Sequence, residues 1–191
     1  ILAKDYKALE VEANKMKELD GVNPRILRYL GYSAYENGNV EAALKALQDY
    51  TANTANKVIP RDFVYLAQAK IKKGTSADGK SVDPALLNSA IEDIKRAITT
   101  EPLIANELNE LGKKLYDQKA FGAAAAVFEV AVSVPTSKNY LIDNFYLGNA
   151  IYYDNTRKDI VKPDPIALQK ADVAFGNVIA NFGSKKNKHG T

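Results

Sequence analysis

Small residues and Asp-Pro pairs recur along this 191-residue chain at a constant offset, and this repetition limits the folds that the chain can adopt. Five pairs of markers share one offset of 81 in residue number: Gly31 and Gly112, Ala43 and Ala124, Ala67 and Gly148, Ala90 and Ala171, and Asp83-Pro84 and Asp164-Pro165. Agreement at five markers is far more specific than any single match. The sequence therefore predicts a structural unit of about 80 residues that is present twice.

Helical periodicity indicates what each unit contains. Between Leu108 and Pro135, apolar residues recur at spacings of three and four, at Leu108, Leu111 and Leu115 and then at Ala124, Phe128 and Ala131. Residues at these spacings share one face of an α-helix. We therefore expect two short helices joined by a turn.

The order of these residues resembles the tetratricopeptide repeat (TPR) family. A Leu-Gly pair, an alanine four residues before a large apolar residue and a late proline form the pattern of this 34-residue helix-turn-helix. The pairs are Leu30-Gly31, Leu66-Ala67, Leu111-Gly112 and Leu147-Gly148, and the alanines with their large residues are Ala43 and Leu47, Ala90 and Ile94, Ala124 and Phe128, and Ala171 and Phe175. The resemblance implies an all-α fold, a right-handed superhelical solenoid of antiparallel helix pairs.

The repeats predict a single solenoid over residues 1–183 and a polar tail at 184–191. The expected parts are a preceding helix at 1–21 and repeats at 24–57, 60–102, 105–136 and 141–183. Solenoids need polar end caps, and neither end of the chain clearly supplies one. We therefore interpret the chain, which opens on Ile1, as a fragment of a longer bacterial repeat protein.

The second and fourth repeats carry an insertion between their helices. The second-helix alanine follows the Gly or Ala of the first-helix pair by 12 residues in the odd repeats and by 23 in the even ones. The extra segments, Gly74–Val82 and Asp154–Pro163, are polar and rich in turn-forming residues, which predicts loops. Asp83 and Asp164 should then cap helices that begin with proline.

The first of these loops contains the string of a phosphate-binding loop, Gly74-Thr75-Ser76-Ala77-Asp78-Gly79-Lys80-Ser81. In a nucleotide site, a buried strand leads into such a loop and a helix begins at its Lys-Ser. Here the preceding residues have helical spacing, the next helix starts too late, and the second copy lacks the string. We interpret the string as a flexible loop.

Composition excludes several classes of function. The chain has no cysteine and a single histidine, His189, so neither a catalytic triad nor a usual transition-metal site can be assembled. The net charge of +3, without a dense stripe of Lys and Arg, does not indicate nucleic-acid binding. No apolar run approaches the roughly 18 residues of a membrane-spanning helix. We expect no enzyme activity, no cofactor, no metal, no nucleic-acid partner and no direct membrane insertion.

In the TPR family, the first helix of each repeat lines the concave groove, with its second, fifth, ninth and twelfth positions facing the ligand. These positions and the first-helix tyrosines supply the candidate peptide-binding residues: Arg25, Arg28, Tyr32, Arg61, Tyr65, Gln68, Asn109, Lys113 and Asn149. Ile142, Phe145 and Tyr152 also stand at groove positions. Tyrosine offers a large contact area and a hydroxyl, and arginine offers planar donors for a carboxylate. The alternative, that the tyrosines only pack between helices, stays open for Tyr32 and Tyr65 as well as for Tyr35, Tyr116 and Tyr152.

The best-known subgroup of the family grips a C-terminal carboxylate with a Lys-Asn-Asn-Lys-Arg set. This chain has Tyr32 at the first Asn position and Glu110 at the Arg position. Binding of a chaperone tail by that clamp is therefore not expected.

The resemblance implies a protein–protein interaction scaffold that holds an extended peptide or a partner helix in its concave groove. The alternative is a structural spacer or self-assembly segment of a longer cell-envelope protein. The expected partner is a protein or peptide that the sequence does not identify. The abundance of Tyr and Asn is similar to that of bacterial cell-envelope repeat proteins, so we expect a location in the periplasm or cell envelope.

Overall fold

The computed structural model describes residues 5–19, 23–157 and 160–186, with the backbone alone for 183–186. Apart from one isolated antiparallel bridge between Thr75 and Val82, the regular structure of these residues is helical. The helices are α1 (Tyr6–Lys17), α2 (Ile26–Asn37), α3 (Val40–Ala52), α4 (Pro60–Gly74), α5 (Pro84–Thr100), α6 (Ala105–Asp117), α7 (Phe121–Ala131), α8 (Tyr140–Thr156) and α9 (Pro165–Lys186), with a short 3-10 helix at Pro102–Ile104. The expected all-α helical solenoid class is confirmed. His189 lies outside the described residues.

Packing divides the chain into two compact units. The first contains α1 to α5, and the second contains α6 to α9 together with the loop at 75–82. Within each unit, helices that follow one another along the chain form the main packing pairs: α2 with α3, α4 with α5, α6 with α7, and α8 with α9. Each first helix thus buries its apolar face against the second helix of the same repeat.

The starts of the second helices of the repeats reproduce the offset found in the sequence. Helix α3 begins at Val40 and α7 at Phe121, while α5 begins at Pro84 and α9 at Pro165, so the offset is again 81 in both cases. Helices α2 to α5 therefore have counterparts, in the same order, in α6 to α9.

The predicted aspartate caps are both present. Asp83 Oδ1 accepts a hydrogen bond from the backbone N–H of Leu86 at 2.9 Å, and Asp164 Oδ1 accepts one from the backbone N–H of Ile166 at 2.9 Å. Each cap satisfies an N–H that has no partner within the first turn of its helix. The long loops therefore end where the sequence predicts.

Two boundaries differ from the prediction. Helix α8 continues to Thr156, so the first residues of the segment 154–163 are helical, and Thr156 Oγ1 donates to the carbonyl of Tyr152 at 2.7 Å. Helix α9 continues to Lys186, so it includes the first residues of the predicted tail at 184–191. No proline follows Pro165 in α9, and nothing in the sequence stops the helix at Gly183.

The glycine of the Leu-Gly pair sets the distance between the two helices of a repeat. A Cβ atom built on Gly31 would lie 2.5 Å from Leu47 Cγ, and one built on Gly112 would lie 2.6 Å from Phe128 Cζ. Leu47 and Phe128 are fully buried. Because close-packed cores leave no such space, these contacts explain why glycines stand opposite Leu47 and Phe128.

Candidate functional site

In the first unit, the candidate residue Arg28 on α2 binds a carboxylate of its own chain. Its Nε donates to Asp62 Oδ1 at 2.6 Å, and its Nη2 donates to Asp62 Oδ2 at 2.7 Å and to the carbonyl of Lys57 at 2.7 Å. The guanidinium carbon lies 4.9 Å from the centre of the Tyr50 ring. Asp62 is fully buried and Arg28 is 9% exposed. The carboxylate partner predicted for Arg28 is therefore supplied from within the fold.

Asp62 collects further donors around this ion pair. It accepts a hydrogen bond from the hydroxyl of Tyr32 at 2.6 Å and one from the backbone N–H of Ile59 at 2.8 Å. The hydrogen bond to Asp62 raises the pKa of Arg28, and burial followed by the bond to Asp62 raises the pKa of Tyr32. Both shifts keep the protons on the donors, so the cluster holds the start of α4 against α2.

The tyrosines of the first unit pack on one another. The rings of Tyr32 and Tyr65 stack with centroids 4.1 Å apart, and Tyr35 meets Tyr65 edge-on at 5.6 Å. The Tyr65 hydroxyl donates to Glu36 Oε1 at 2.9 Å, and burial, with this bond, raises the pKa of Tyr65. Tyr32, Tyr35 and Tyr65 thus have the packing role that the sequence left open. That Tyr32 and Tyr65 also bind a peptide stays a prediction.

The other candidates of the first unit lie nearer to the surface. Arg25 is exposed at the start of α2, Arg61 is exposed in the first turn of α4, and Gln68 is half-buried about two turns further along α4. Arg61 and Gln68 are seven residues apart and lie on the same face of α4. Arg25, Arg61 and Gln68 are therefore all more accessible to solvent than Arg28.

In the second unit, Asn109 contacts the counterpart of Asp62. Asn109 Nδ2 on α6 donates to Oδ1 of Asp143, near the start of α8, at 2.6 Å. Asp143 is fully buried, and its Oδ2 has no hydrogen-bond partner among the described residues. Burial raises the pKa of Asp143, and the bond from Asn109 opposes that rise. A buried acceptor without a partner is uncommon in a folded protein and calls for an explanation.

The remaining candidates of the second unit contact aromatic residues. The ammonium of Lys113 lies 5.9 Å from the centre of the Tyr146 ring, and Asn149 Nδ2 donates to the carbonyl of Phe145 at 2.8 Å. Tyr116 meets Tyr146 edge-on at 5.2 Å. Tyr116 therefore packs between helices, whereas Lys113 and Asn149, at predicted groove positions of α6 and α8, are both half-buried.

Helix α8 carries an exposed apolar row that the candidate set left out. Ile142 is 44% exposed, Phe145 46% and Tyr152 49%. Their spacings of three and seven residues place them on one face of the helix, together with Asn149. The sequence did contain a signal, since all three stand at predicted groove positions. Apolar residues in a helix, however, look the same in sequence whether they face the core or solvent.

The phosphate-loop string forms a closed turn. The backbone N–H of Ser76 donates to the carbonyl of Ser81 at 2.9 Å, and Asp78 Oδ1 accepts bonds from Ser76 Oγ at 2.7 Å and from the backbone N–H of Lys80 at 3.1 Å. A helix, α4, leads into this turn, and Asp78 occupies an N–H that a phosphate would need. The interpretation of the string as a loop and not a nucleotide site agrees with this geometry.

The described part of the chain has neither a metal-binding cluster nor a membrane-spanning helix. No group of three or more His, Cys, Asp or Glu side chains there is placed to hold a metal ion. No helix in the same residues is both long enough and apolar enough to cross a membrane.

Comparison with known proteins supports the fold. The crystal structure of MamA, a TPR-containing protein, matches this chain with a TM-score of 0.54 and 18% sequence identity, over 91% of this chain and 90% of that chain. No family model and no curated protein matches the sequence. At this identity the similarity concerns the fold, which is TPR-like, and not the partner.

Proposed function

We propose that this chain is a protein–protein interaction scaffold, and that the row of Ile142, Phe145 and Tyr152 on α8 binds a peptide or a partner helix. The observation that carries the proposal is the exposure of these three side chains. Each is between 44% and 49% exposed on a helix whose opposite face is buried against α9. Grouped apolar side chains in solvent mark interaction surfaces more often than isolated ones do.

The surroundings of this row match what a peptide needs. Asn149 lies between Phe145 and Tyr152 on the same face of α8, where its amide can bond a peptide backbone after releasing the Phe145 carbonyl. Phe145 also meets Tyr146 edge-on at 5.8 Å, a contact that favours one orientation of its ring. A rigid aromatic anchor loses little conformational entropy on binding.

The proposal extends to the first unit with a smaller set of residues. Arg25 and Arg61 are exposed there, and Arg28 is buried. A partner with an acidic side chain or a terminal carboxylate would meet Arg25 and Arg61, because guanidinium groups bind carboxylates in a planar, two-bond geometry.

The test begins with a partner captured by the intact protein from its source cells and then purified. Its dissociation constant is measured for the natural chain and for the double variant Phe145→Ala/Tyr152→Ala. Loss of a central aromatic anchor costs about 2 kcal/mol or more in binding, so we expect the affinity to fall by a factor of about 30. Because both side chains are partly exposed, we expect the variant to fold, and circular dichroism verifies its helix content.

The matched control is Val161→Ala, which removes another exposed apolar side chain of the second unit. Binding should be unchanged in this variant. If the double variant on α8 binds the partner as tightly as the natural chain, the interface lies elsewhere and the proposal for α8 is wrong.

A second function, self-assembly, is favoured by helix α9. Its exposed apolar side chains are Ile166, Val173, Ile179 and Phe182. A groove of about 340 Å³ beside α9 is lined by Val132, Leu147, Ile166 and Val173, among others. Sedimentation velocity of the natural chain and of Val173→Glu tests this alternative. A concentration-dependent oligomer that Val173→Glu disperses would support it, and a monomer at all concentrations would exclude it.

A further inference from the structure

The buried carboxylate of Asp143 lacks a partner that its counterpart in the first unit possesses. Asp143 is 0% exposed, and its Oδ2 has no hydrogen-bond partner within the described residues, while Oδ1 accepts a bond from the neutral amide of Asn109. Burying an ionised carboxylate is costly unless opposite charge and hydrogen bonds compensate for its lost hydration. Something beyond Asn109 is therefore needed to complete this site.

The first unit contains the completed version of the same site. Asp62 and Asp143 are related by the offset of 81, and both lie near the start of the first helix of an even repeat. There, the guanidinium of Arg28 bonds both oxygens of Asp62 at 2.6 and 2.7 Å. The hydroxyl of Tyr32 adds a third bond at 2.6 Å.

The second unit retains the carboxylate but has smaller or different residues where the donors stood. By the same offset, Asn109 stands for Arg28, Lys113 for Tyr32 and Ala131 for Tyr50. Tyr50 is the residue whose ring lies 4.9 Å from the Arg28 guanidinium. The exchanges thus remove the guanidinium together with the ring beneath it, while the acid that binds a guanidinium remains.

We propose that Asp143 is the floor of a binding site for a guanidinium group, supplied by an arginine side chain of a partner peptide in the place that Arg28 fills in the first unit. The inference rests on the proposed interaction function and names a chemical feature of the partner. A guanidinium fits better than an ammonium, because its fork of N–H groups can bond the free Oδ2 and a second acceptor together, as Arg28 does with Asp62 and Lys57.

Access to this site requires that the side chain of Asn109 on α6 moves aside. Asn109, which contacts Asp143 directly, is half-buried and so also reaches the surface of the first helices. An incoming guanidinium replaces one bond from a neutral amide with bonds from a positively charged donor, and it adds the opposite charge that the carboxylate lacks. Lys113, one turn further along α6, has its ammonium 5.9 Å from the centre of the Tyr146 ring.

The experiment uses the whole chain labelled with ¹⁵N and ¹³C and two small probes. N-acetyl-arginine amide carries the guanidinium, and N-acetyl-citrulline amide has nearly the same shape without the charge. We follow the carboxyl carbon of Asp143 and the side-chain amide of Asn109 by NMR during each titration. The arginine probe should produce saturable shifts of both signals, and the citrulline probe should bind at least about tenfold more weakly.

Three variants make this result specific to Asp143. Asp143→Asn removes the charge and should abolish the saturable shift of Asn109. Asn109→Arg fills the site with a guanidinium of the chain itself and should block the probe. Asp154→Asn, which changes a partly exposed carboxylate on the same helix, should leave binding unchanged. Helix content measured by circular dichroism shows that each variant is folded.

Several outcomes would overturn the inference. The inference is wrong if both probes give equal shifts, if the arginine probe gives no saturable shift, or if binding persists in Asp143→Asn. A buried water or protonation would then be what satisfies Oδ2. The proposed function can fail separately. If the partner needs Phe145 and Tyr152 but not Asp143, and the arginine probe does not bind, then this inference is wrong while the proposed function stands. Probe binding at Asp143 would support the site even if Phe145→Ala/Tyr152→Ala leaves partner binding intact.

Discussion

Gly38 and Lys119 end the first helices of the first and third repeats with the same left-handed turn. Gly38 has φ of 88°, and Lys119, its counterpart by the sequence offset, has φ of 63°. In each turn the following residue bonds the carbonyl five residues before it, from Asn39 N to Ala34 O at 2.8 Å and from Ala120 N to Leu115 O at 2.9 Å. Both units therefore form the left-handed turn, although only the first unit has a glycine there, the residue that adopts a positive φ without steric cost.

Lys119→Gly should stabilise the second unit. A left-handed conformation costs a residue with a Cβ about 1 kcal/mol or more, and glycine avoids that cost. We expect the free energy of unfolding in urea to rise by about 1 kcal/mol. The matched change Gly38→Ala should lower it by a similar amount. A Cβ on Gly38 has only Lys72 Nζ within 4 Å, at 3.9 Å, so any loss reports backbone strain and not a clash. Unchanged stability in both variants would contradict the argument.

Gly112→Ala and Gly176→Ala should change stability in opposite directions. A Cβ on Gly112 would lie 2.6 Å from Phe128 Cζ in the core, whereas nothing lies within 4 Å of a Cβ on Gly176 in α9. Overpacking a core costs about 1–3 kcal/mol, and replacing an unhindered helical glycine by alanine gains up to about 1 kcal/mol. Urea unfolding measures both changes. A stabilising Gly112→Ala would mean that Phe128 can move aside without loss.

Arg28→Asn and Asn109→Arg exchange the chemistry of the two units. Arg28→Asn leaves Asp62 buried without its cation, which should destabilise the first unit by about 3–5 kcal/mol. Asn109→Arg supplies a guanidinium to Asp143 and should stabilise the second unit at neutral pH. Hydrogen exchange of the amides of α4 and α8 locates each effect. A second unit weakened by Asn109→Arg would show that the space around Asp143 has closed.

Stability of the second unit should fall as pH rises through the range in which Asp143 titrates. Burial raises the pKa of Asp143 in the folded chain, against a value of about 3.9 in an unfolded one. Between these two values the folded state binds more protons than the unfolded state, so the free energy of unfolding decreases with pH. The contribution is fully present below about pH 3.9 and is lost as pH passes through the raised pKa.

Hydrogen exchange of α8 amides at a series of pH values measures this decrease. In Asp143→Asn the position no longer titrates. Between acid and neutral pH, the variant should therefore lose less stability than the natural chain does. Asp154→Asn serves as the control on the same helix. A pH dependence that is the same in the natural chain and in Asp143→Asn would show that Asp143 does not cause it.

The internal duplication leaves one prediction about the fold. Residues 24–100 and 105–181 should superpose as similar units with their long loops at equivalent places, since the starts of α3 and α7, and of α5 and α9, share one offset. A crystal structure of the chain tests this prediction. Different crossing angles of corresponding helices would contradict it.

The structure changes how the sequence-based groove hypothesis should be tested. A double change of Tyr32 and Tyr65 to alanine, the obvious choice from sequence, would remove a ring stack and two hydroxyl bonds to Asp62 and Glu36. Loss of binding in that variant would not be separable from loss of packing. Phe145 and Tyr152 are better probes because they are partly exposed.

The sequence by itself determined the helices, their order and the caps of the long loops. These features follow from local rules: Asp83-Pro84 and Asp164-Pro165 start helices because an aspartate side chain bonds nearby N–H groups and proline needs none. The glycine opposite Leu47 or Phe128 is also local, since it stands at a set spacing within one repeat.

Only the tertiary structure decided which side chains are available to a partner. Arg28 and Asn109 hold the same repeat position. Arg28 can be buried because the carboxylate of Asp62, 34 residues away, pairs with its charge. Phe145 is exposed while Val64, its counterpart by the offset of 81, is 4% exposed. Helical periodicity predicts the face of the helix on which a side chain lies, but it does not predict what packs against that face. Burial and charge pairing depend on residues distant in the chain, and no local pattern encodes them.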